Sequence, residues 1–172
     1  MSNRGVKFSA GVHLPDERLA SLRRLNAHDA EAVLALYRNL TDHDRYFRFF
    51  TLHPGGLDQL ASKLTEPGIN QYAVVAFDDD RLIGVANYVV CDDPGAAEVA
   101  IVVAHDYHLR GVGTALLIHL ARVARTHGIW RFVADIMSEN HPMLKVLFDL
   151  GWPRTRLDNG SIRRLEIELP DG

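Results

Sequence analysis

Between residues 98 and 127 the apolar pattern changes period, and few local structures accommodate the change. Glu98-Val99-Ala100-Ile101-Val102-Val103 is apolar on both faces of a strand except at its first residue, the pattern of a strand buried inside a sheet. From Gly111 to His127 the period becomes helical, with His119, Arg122 and Arg125 to Thr126 forming one polar stripe on an otherwise apolar helix. Gly128 supplies its stop. The junction, Ala104-His105-Asp106-Tyr107-His108-Leu109-Arg110-Gly111-Val112-Gly113-Thr114, therefore turns a central strand into a helix. Its glycines leave backbone N–H groups open to a close ligand, and the positive end of the helix dipole with Arg110 favours an anion such as a phosphate. A tight turn serving only helix packing is the other reading of the loop alone. The third glycine of a dinucleotide fold and the Gly-Lys-Ser/Thr ending of a P-loop are both missing, which removes those two classes.

The flanking segments read as a mixed α/β layer protein. Residues 1–18 mix polar, Gly and Pro residues without periodicity and read as a flexible or surface-laid arm. The domain proper covers 19–172. Leu19, Leu22 and Leu25 lie in a strand-like run, and Asn26 with Asp29 resembles a capping pair opening a helix to about Leu40. Thr41 to Phe50 forms a short helix with an aromatic face, broken by Pro54-Gly55-Gly56; Leu57 to Leu64 forms another. Gln71 to Phe77 and Leu82 to Val90 are strands joined at Asp78-Asp79-Asp80. After the central strand and its helix come a strand from Trp130 to Ile136 and a helix from about His141 to Leu150, capped by Asn140 and ended by Gly151. Two strands, near Arg154 to Leu157 and Ile162 to Leu169, flank an Asp158-Asn159-Gly160 turn. The expectation is one mixed sheet of about seven strands with helices on both faces.

Composition removes several functions. At 172 residues, 47% apolar and 24% charged, the chain has the balance of one soluble globular domain. A net charge of −3 without a long basic run gives no hold on nucleic acid phosphates. No apolar stretch is long enough to span a membrane and the start from Met1 to Gly11 lacks a signal-peptide core, so a cytoplasmic location is expected. Cys91 stands alone, which fits a reducing compartment. Among nine histidines no metal-ligand spacing comes with a supporting carboxylate; His105 and His108 are three apart in a loop, and no metal is expected.

The neighbourhood of the loop resembles the GNAT acetyltransferase superfamily, whose pyrophosphate motif is Gln/Arg-x-x-Gly-x-Gly/Ala. Here it reads His108-Leu109-Arg110-Gly111-Val112-Gly113, both glycines matching and His108 replacing the first residue. A second signature, Asn, helix, Gly-Phe, is similar to Asn140 through Gly151-Trp152. The resemblance implies the GNAT fold, with the fourth and fifth strands splayed around acetyl-CoA. It implies that Val102, Val103, His108, Arg110, Gly111, Val112, Gly113, Thr114 and Asn140 bind this cosubstrate, with the cradle resting on backbone groups from Arg110 to Thr114. Many members carry a tyrosine seven residues after the asparagine as general acid; Leu147 stands there, and Phe148 has no proton to give.

Acyl transfer to an amine needs a neutral nucleophile and a polarised thioester carbonyl. Glu98 is the candidate general base, expected to be partly desolvated by its apolar strand, and Ala97-Glu98-Val99-Ala100 looks like the strand carrying a catalytic glutamate in GNAT protein acetyltransferases. The resemblance gives the backbone N–H of Val103 the role of polarising the carbonyl. Asp44-Arg45-Tyr46-Phe47-Arg48-Phe49-Phe50 is similar to an aromatic segment of bacterial Pat-type protein-lysine acetyltransferases, with core or lid packing as the alternative reading. His43, His53 and Asp42 are expected near the acceptor by family position. Three functions stay open: acetylation of a protein lysine, acetylation of a small-molecule amine, and an acetyl-CoA-binding module without turnover. A homodimer is one option for assembly.

Overall fold

The computed structural model describes residues 10–157 and 160–172. The elements run β1 (Ala10–His13), β2 (Leu19–Arg24), α1 (Ala30–Arg38), α2 (Asp42–Phe49), α3 (Leu57–Leu64), β3 (Gln71–Asp78), β4 (Arg81–Val90), β5 (Ala96–Val103), α4 (Val112–Thr126), β6 (Arg131–Met137), α5 (His141–Leu150), β7 (Arg154–Arg156) and β8 (Ile162–Glu168). Among the described residues all strands belong to one sheet of eight in the order β1-β2-β3-β4-β5-β6-β8-β7. The eighth is β1. It falls in the segment expected as an arm, where Ala10-Gly11-Val12-His13 pairs antiparallel with β2. Gly11 leaves a gap in any apolar alternation, and Leu19 fills it by leaning to 2.9 Å from where a Cβ would stand. The rest of the arm up to Ser9, and Asp158-Asn159 of the expected turn, lie outside the described residues.

Local chemistry accounts for the helix starts. Asn26 accepts from the His28 amide while Asp29 accepts from the Asn26 amide at 2.8 Å, a reciprocal capping box on the 3-10 turn Ala27–Asp29 that leads into α1 and satisfies donors its first turn leaves over. Asp29 is buried and also takes both Arg23 guanidinium nitrogens at 2.7 and 2.8 Å. Burial pushes its carboxyl up, but the Arg23 pair and the Asn26 amide outweigh that and hold it below the usual carboxylate value. Thr41 caps α2 through the Asp44 amide, and Phe50 ends it at φ 59°. On β4, Gly84 faces α4, since a Cβ there would meet Leu116 at 2.9 Å. Ile83 and Val85, on the opposite face, are equally buried, and α1 packs against the same strand.

One pair in the sheet is parallel. β5 runs through α4 into β6 as a crossover unit, and the two strands pair only over Ala96–Glu98. Past Glu98 they diverge: β5 stays with β4 as far as Val103, while β6 pairs along its length with β8. The wedge between them positions the site.

Candidate active site

Strand pairing decides which backbone groups face the wedge. The Ala104 amide donates to Ile83 and the Cys91 amide to Ala96, so with the observed register residues 98, 100, 102 and 104 spend their amides on β4. An antiparallel ladder alternates, which turns the N–H groups of Val99, Ile101 and Val103 toward the side β6 has vacated. Val103 thus meets the geometric requirement for a carbonyl-polarising donor. Val102 does not offer its amide to the wedge, although the residue lines the cleft. Ile101, passed over in the sequence, presents an amide as Val103 does; apolar composition carries no trace of ladder phase.

At the wide end of the wedge, α4 begins at Val112 with Gly111 at φ 83° and no side-chain cap. The first intrahelical bond runs from Ala115 back to Gly111, so the amides from Gly111 to Thr114 have no helical acceptor. A Cβ on Gly111 would meet nothing within 4 Å. Unspent donors, the positive helix end and open space beside the backbone are what a diphosphate needs, and they fit the diphosphate of acetyl-CoA. Arg110 is placed otherwise than expected: its guanidinium lies over the Tyr107 ring at 5.5 Å, and neither it nor the buried Val112 side chain lines the cleft. Tyr107 itself is fixed by donating to the buried Asp78 at 2.5 Å, which also receives Arg18 at 2.8 Å.

The two features merge in one cavity of about 290 Å³ lined by β5, the loop, α2, the end of β6 and the start of α5. Asn140 stands at its wall, the side chain accepting from the Met143 amide at 3.3 Å, which leaves its NH2 for a ligand. Glu98 lines the cavity but is exposed, against the expected partial desolvation. It sits in register with Val89 of β4, 47% exposed, so this end of the sheet face is uncovered. Leu147 is buried and lies outside the cavity; α5 turns Met143, Val146 and Asp149 toward it.

From the first helices, the cavity takes Asp44, Phe47, Arg48 and Phe50 rather than His43, His53 or Asp42. His43 stacks on Phe47 at 5.7 Å, Asp42 is 84% exposed, and His53 is exposed. The aromatic segment divides its work, Phe49 packing edge-on against Tyr37 while its neighbours face the cleft. His108 turns inward, its Nε2–H donating to the Val103 carbonyl at 2.9 Å. Asp44, which no local pattern singles out, lies 2.9 Å from His105 Nδ1 and 3.6 Å from His108 Nε2.

Unspent amides at the start of α4, continuous with a split strand pair that offers more of them, fit a nucleotide-linked thioester laid across the sheet. The chain belongs to the acetyltransferase (GNAT) family, whose model matches residues 32–152, and is an acetyl-CoA-dependent acyltransferase. It is 29% identical over 162 residues to the acetyltransferase PA5475 of Pseudomonas aeruginosa, covering 90% of this chain and 87% of that protein. A 74-residue stretch is 36% identical to the acetyltransferase Pat of Mycolicibacterium smegmatis, 43% of this chain and 22% of that one. The crystal structure of the GNAT domain of S. lividans PAT superposes with a TM-score of 0.82 at 30% identity, covering 94% of this chain and 97% of that domain. No described helix is long and apolar enough to cross a membrane.

Proposed function

We propose that this acetyltransferase moves the acetyl group of acetyl-CoA to the ε-amine of a protein lysine by direct attack, with Glu98 as general base. The observation that carries the reading is the exposed carboxylate of Glu98 at the mouth of the same cavity that ends in the α4 cradle. An uncovered base can be reached by an amine that stays attached to a folded protein. Likeness to the S. lividans PAT domain over nearly the whole chain supports the same choice. The cytosol is the compartment we propose, in keeping with the unpaired Cys91.

In this mechanism the α4 amides from Gly111 to Thr114 and the Asn140 NH2 hold the cosubstrate, and the strand amides of β5 align its arm. Glu98 takes a proton from the lysine ammonium, directly or through one water, leaving a neutral amine. The amine nitrogen attacks the thioester carbon, and the Val103 N–H donates to the carbonyl oxygen as negative charge gathers there, an effect worth about 3 kcal/mol in comparable sites. The carbon–sulfur bond then breaks and the nitrogen gives up its second proton to water, leaving the neutral amide and the thiolate.

The test is thiol release from acetyl-CoA measured against a panel of lysine-containing proteins and peptides alongside small polyamines and amino acids. Turnover confined to protein lysines is expected. Efficient acetylation of free amines with none on proteins would overturn the acceptor assignment, and tight acetyl-CoA binding with no turnover on either panel would overturn the enzyme mechanism.

A further inference from the structure

Asp44, His105 and His108 each bring one donor atom to within 4.8 Å of the others, and we infer that they form a binding site for a divalent transition-metal ion of the zinc class. The sequence hides this set. The carboxylate beside the two histidines in the chain, Asp106, is held by Arg81 at 2.8 and 2.9 Å, and the structure supplies another from α2, 61 positions from His105. Thr41 fixes it there by capping the first turn of α2 through the Asp44 amide at 3.1 Å.

Electrostatics favours a cation at this point. The Asp44 side chain is only 10% exposed, and among the described residues no arginine or lysine pairs with it; two imidazoles alone face it. A poorly solvated carboxylate gains from a further positive charge. Two imidazole nitrogens and one carboxylate oxygen suit zinc, cobalt or nickel rather than magnesium or calcium, which prefer oxygen shells.

Geometry agrees within a small adjustment. Tetrahedral zinc with bonds of about 2.0–2.2 Å holds its ligand atoms roughly 3.4 Å apart. The two Asp44 distances, 2.9 and 3.6 Å, bracket that value, and the His105 side chain, 63% exposed, is free to swing. Binding exchanges the hydrogen bond from His108 Nε2 to the Val103 carbonyl for a nitrogen–metal bond, so the ion would tie α2 to the loop that follows β5. Three protein ligands leave one coordination position on the cleft side, where Asp44 and His108 line the wall.

The experiment is zinc titration of the chelator-treated full chain by calorimetry, without acetyl-CoA, with cobalt as a spectroscopic probe of tetrahedral coordination. Because no turnover is read, failure here leaves the proposed reaction untouched, and failure of that reaction leaves this site untouched. One equivalent of zinc is expected, with visible cobalt bands. The near-isosteric Asp44→Asn and the surface variant His105→Ala should each weaken zinc binding at least tenfold while far-ultraviolet circular dichroism stays as in the wild type. Absence of stoichiometric zinc binding, or folded variants that both bind zinc as the wild type does, would overturn the site.

Discussion

Gly111 and Gly128 form a matched pair that separates backbone strain from ligand approach. Both have positive φ, 83° and 79°, and a Cβ at either would meet nothing within 4 Å. Gly111 opens α4 at the cradle; Gly128 follows the other end of that helix. Replacing either by alanine places an L side chain in the left-handed region, at about 1–2 kcal/mol. Reduced freedom of the unfolded chain returns about 0.4–1 kcal/mol. The net loss should be near 1 kcal/mol for each, a melting shift of about 2–4 °C for a chain of this size. Binding should part them. The methyl at position 111 enters the space a diphosphate must occupy to reach the helix amides, so Gly111→Ala should weaken acetyl-CoA binding at least tenfold, about 1.4 kcal/mol, while Gly128→Ala binds as the wild type. Urea unfolding and calorimetry on the two variants supply the comparison. Equal stability losses with unchanged affinity in Gly111→Ala would refute the cradle.

Glu98→Gln should keep acetyl-CoA affinity and lose most of its turnover at neutral pH; a wild-type pH–rate profile would remove Glu98 as base. Asn140→Ala takes the cap from α5 and should cost about 0.5–2 kcal/mol in urea unfolding, with a rise in the acetyl-CoA dissociation constant beyond that seen for Gly151→Ala at the far end of the helix. Tyr107→Phe removes a donor to buried Asp78 and should cost about 1–3 kcal/mol, moderated by the Arg18 contact that remains. Asp29→Asn tests linkage. Since the native carboxyl titrates below the usual carboxylate value, its stabilisation is complete above that ordinary value and is lost as pH falls through the native pKa. The wild type should therefore exceed Asp29→Asn by about 1–3 kcal/mol at pH 7, the gap closing in acid; a pH-independent gap would contradict the ion-pair account.

What could be read in the sequence was what local rules govern. The switch from a doubly apolar strand to a polar-striped helix gave β5 and α4, and Asn26, Asn140 and Gly151 marked helix ends because caps act within four residues. Ladder phase is different in kind: whether residue 101, 102 or 103 shows its amide to the wedge depends on pairing with β4. Exposure of Glu98 follows from how far the helices extend over the sheet, which no property of its own strand encodes. Asp44 is legible least of all, since its neighbours come from a loop on the far side of three strands. The side chain of Arg110 went to Tyr107 for a similar reason, an aromatic face brought alongside by the turn.

Leu147 bears on how the proposed reaction ends. A tyrosine at 147 could not protonate the departing sulfur in this chain, because that position faces the core and not the cavity; introducing one would overpack α5. The cleft face of α5 offers Met143 and Val146, which carry no proton, and Lys145 and Asp149, which are paired with each other at 2.9 Å. Tyr107 is committed to Asp78. Yet the departing group is a thiolate, and an ordinary thiol has a pKa of about 8.5, far closer to neutrality than an alcohol. Its expulsion near pH 7 leaves little for a general acid to contribute, whereas a lysine ammonium, near 10.4 when unperturbed, must lose its proton before it can attack. The chemical demand falls on the base, the role proposed for Glu98, which is exposed and lines the cavity. Loss of Glu98 should thus slow turnover far more than any substitution at Leu147 that preserves folding.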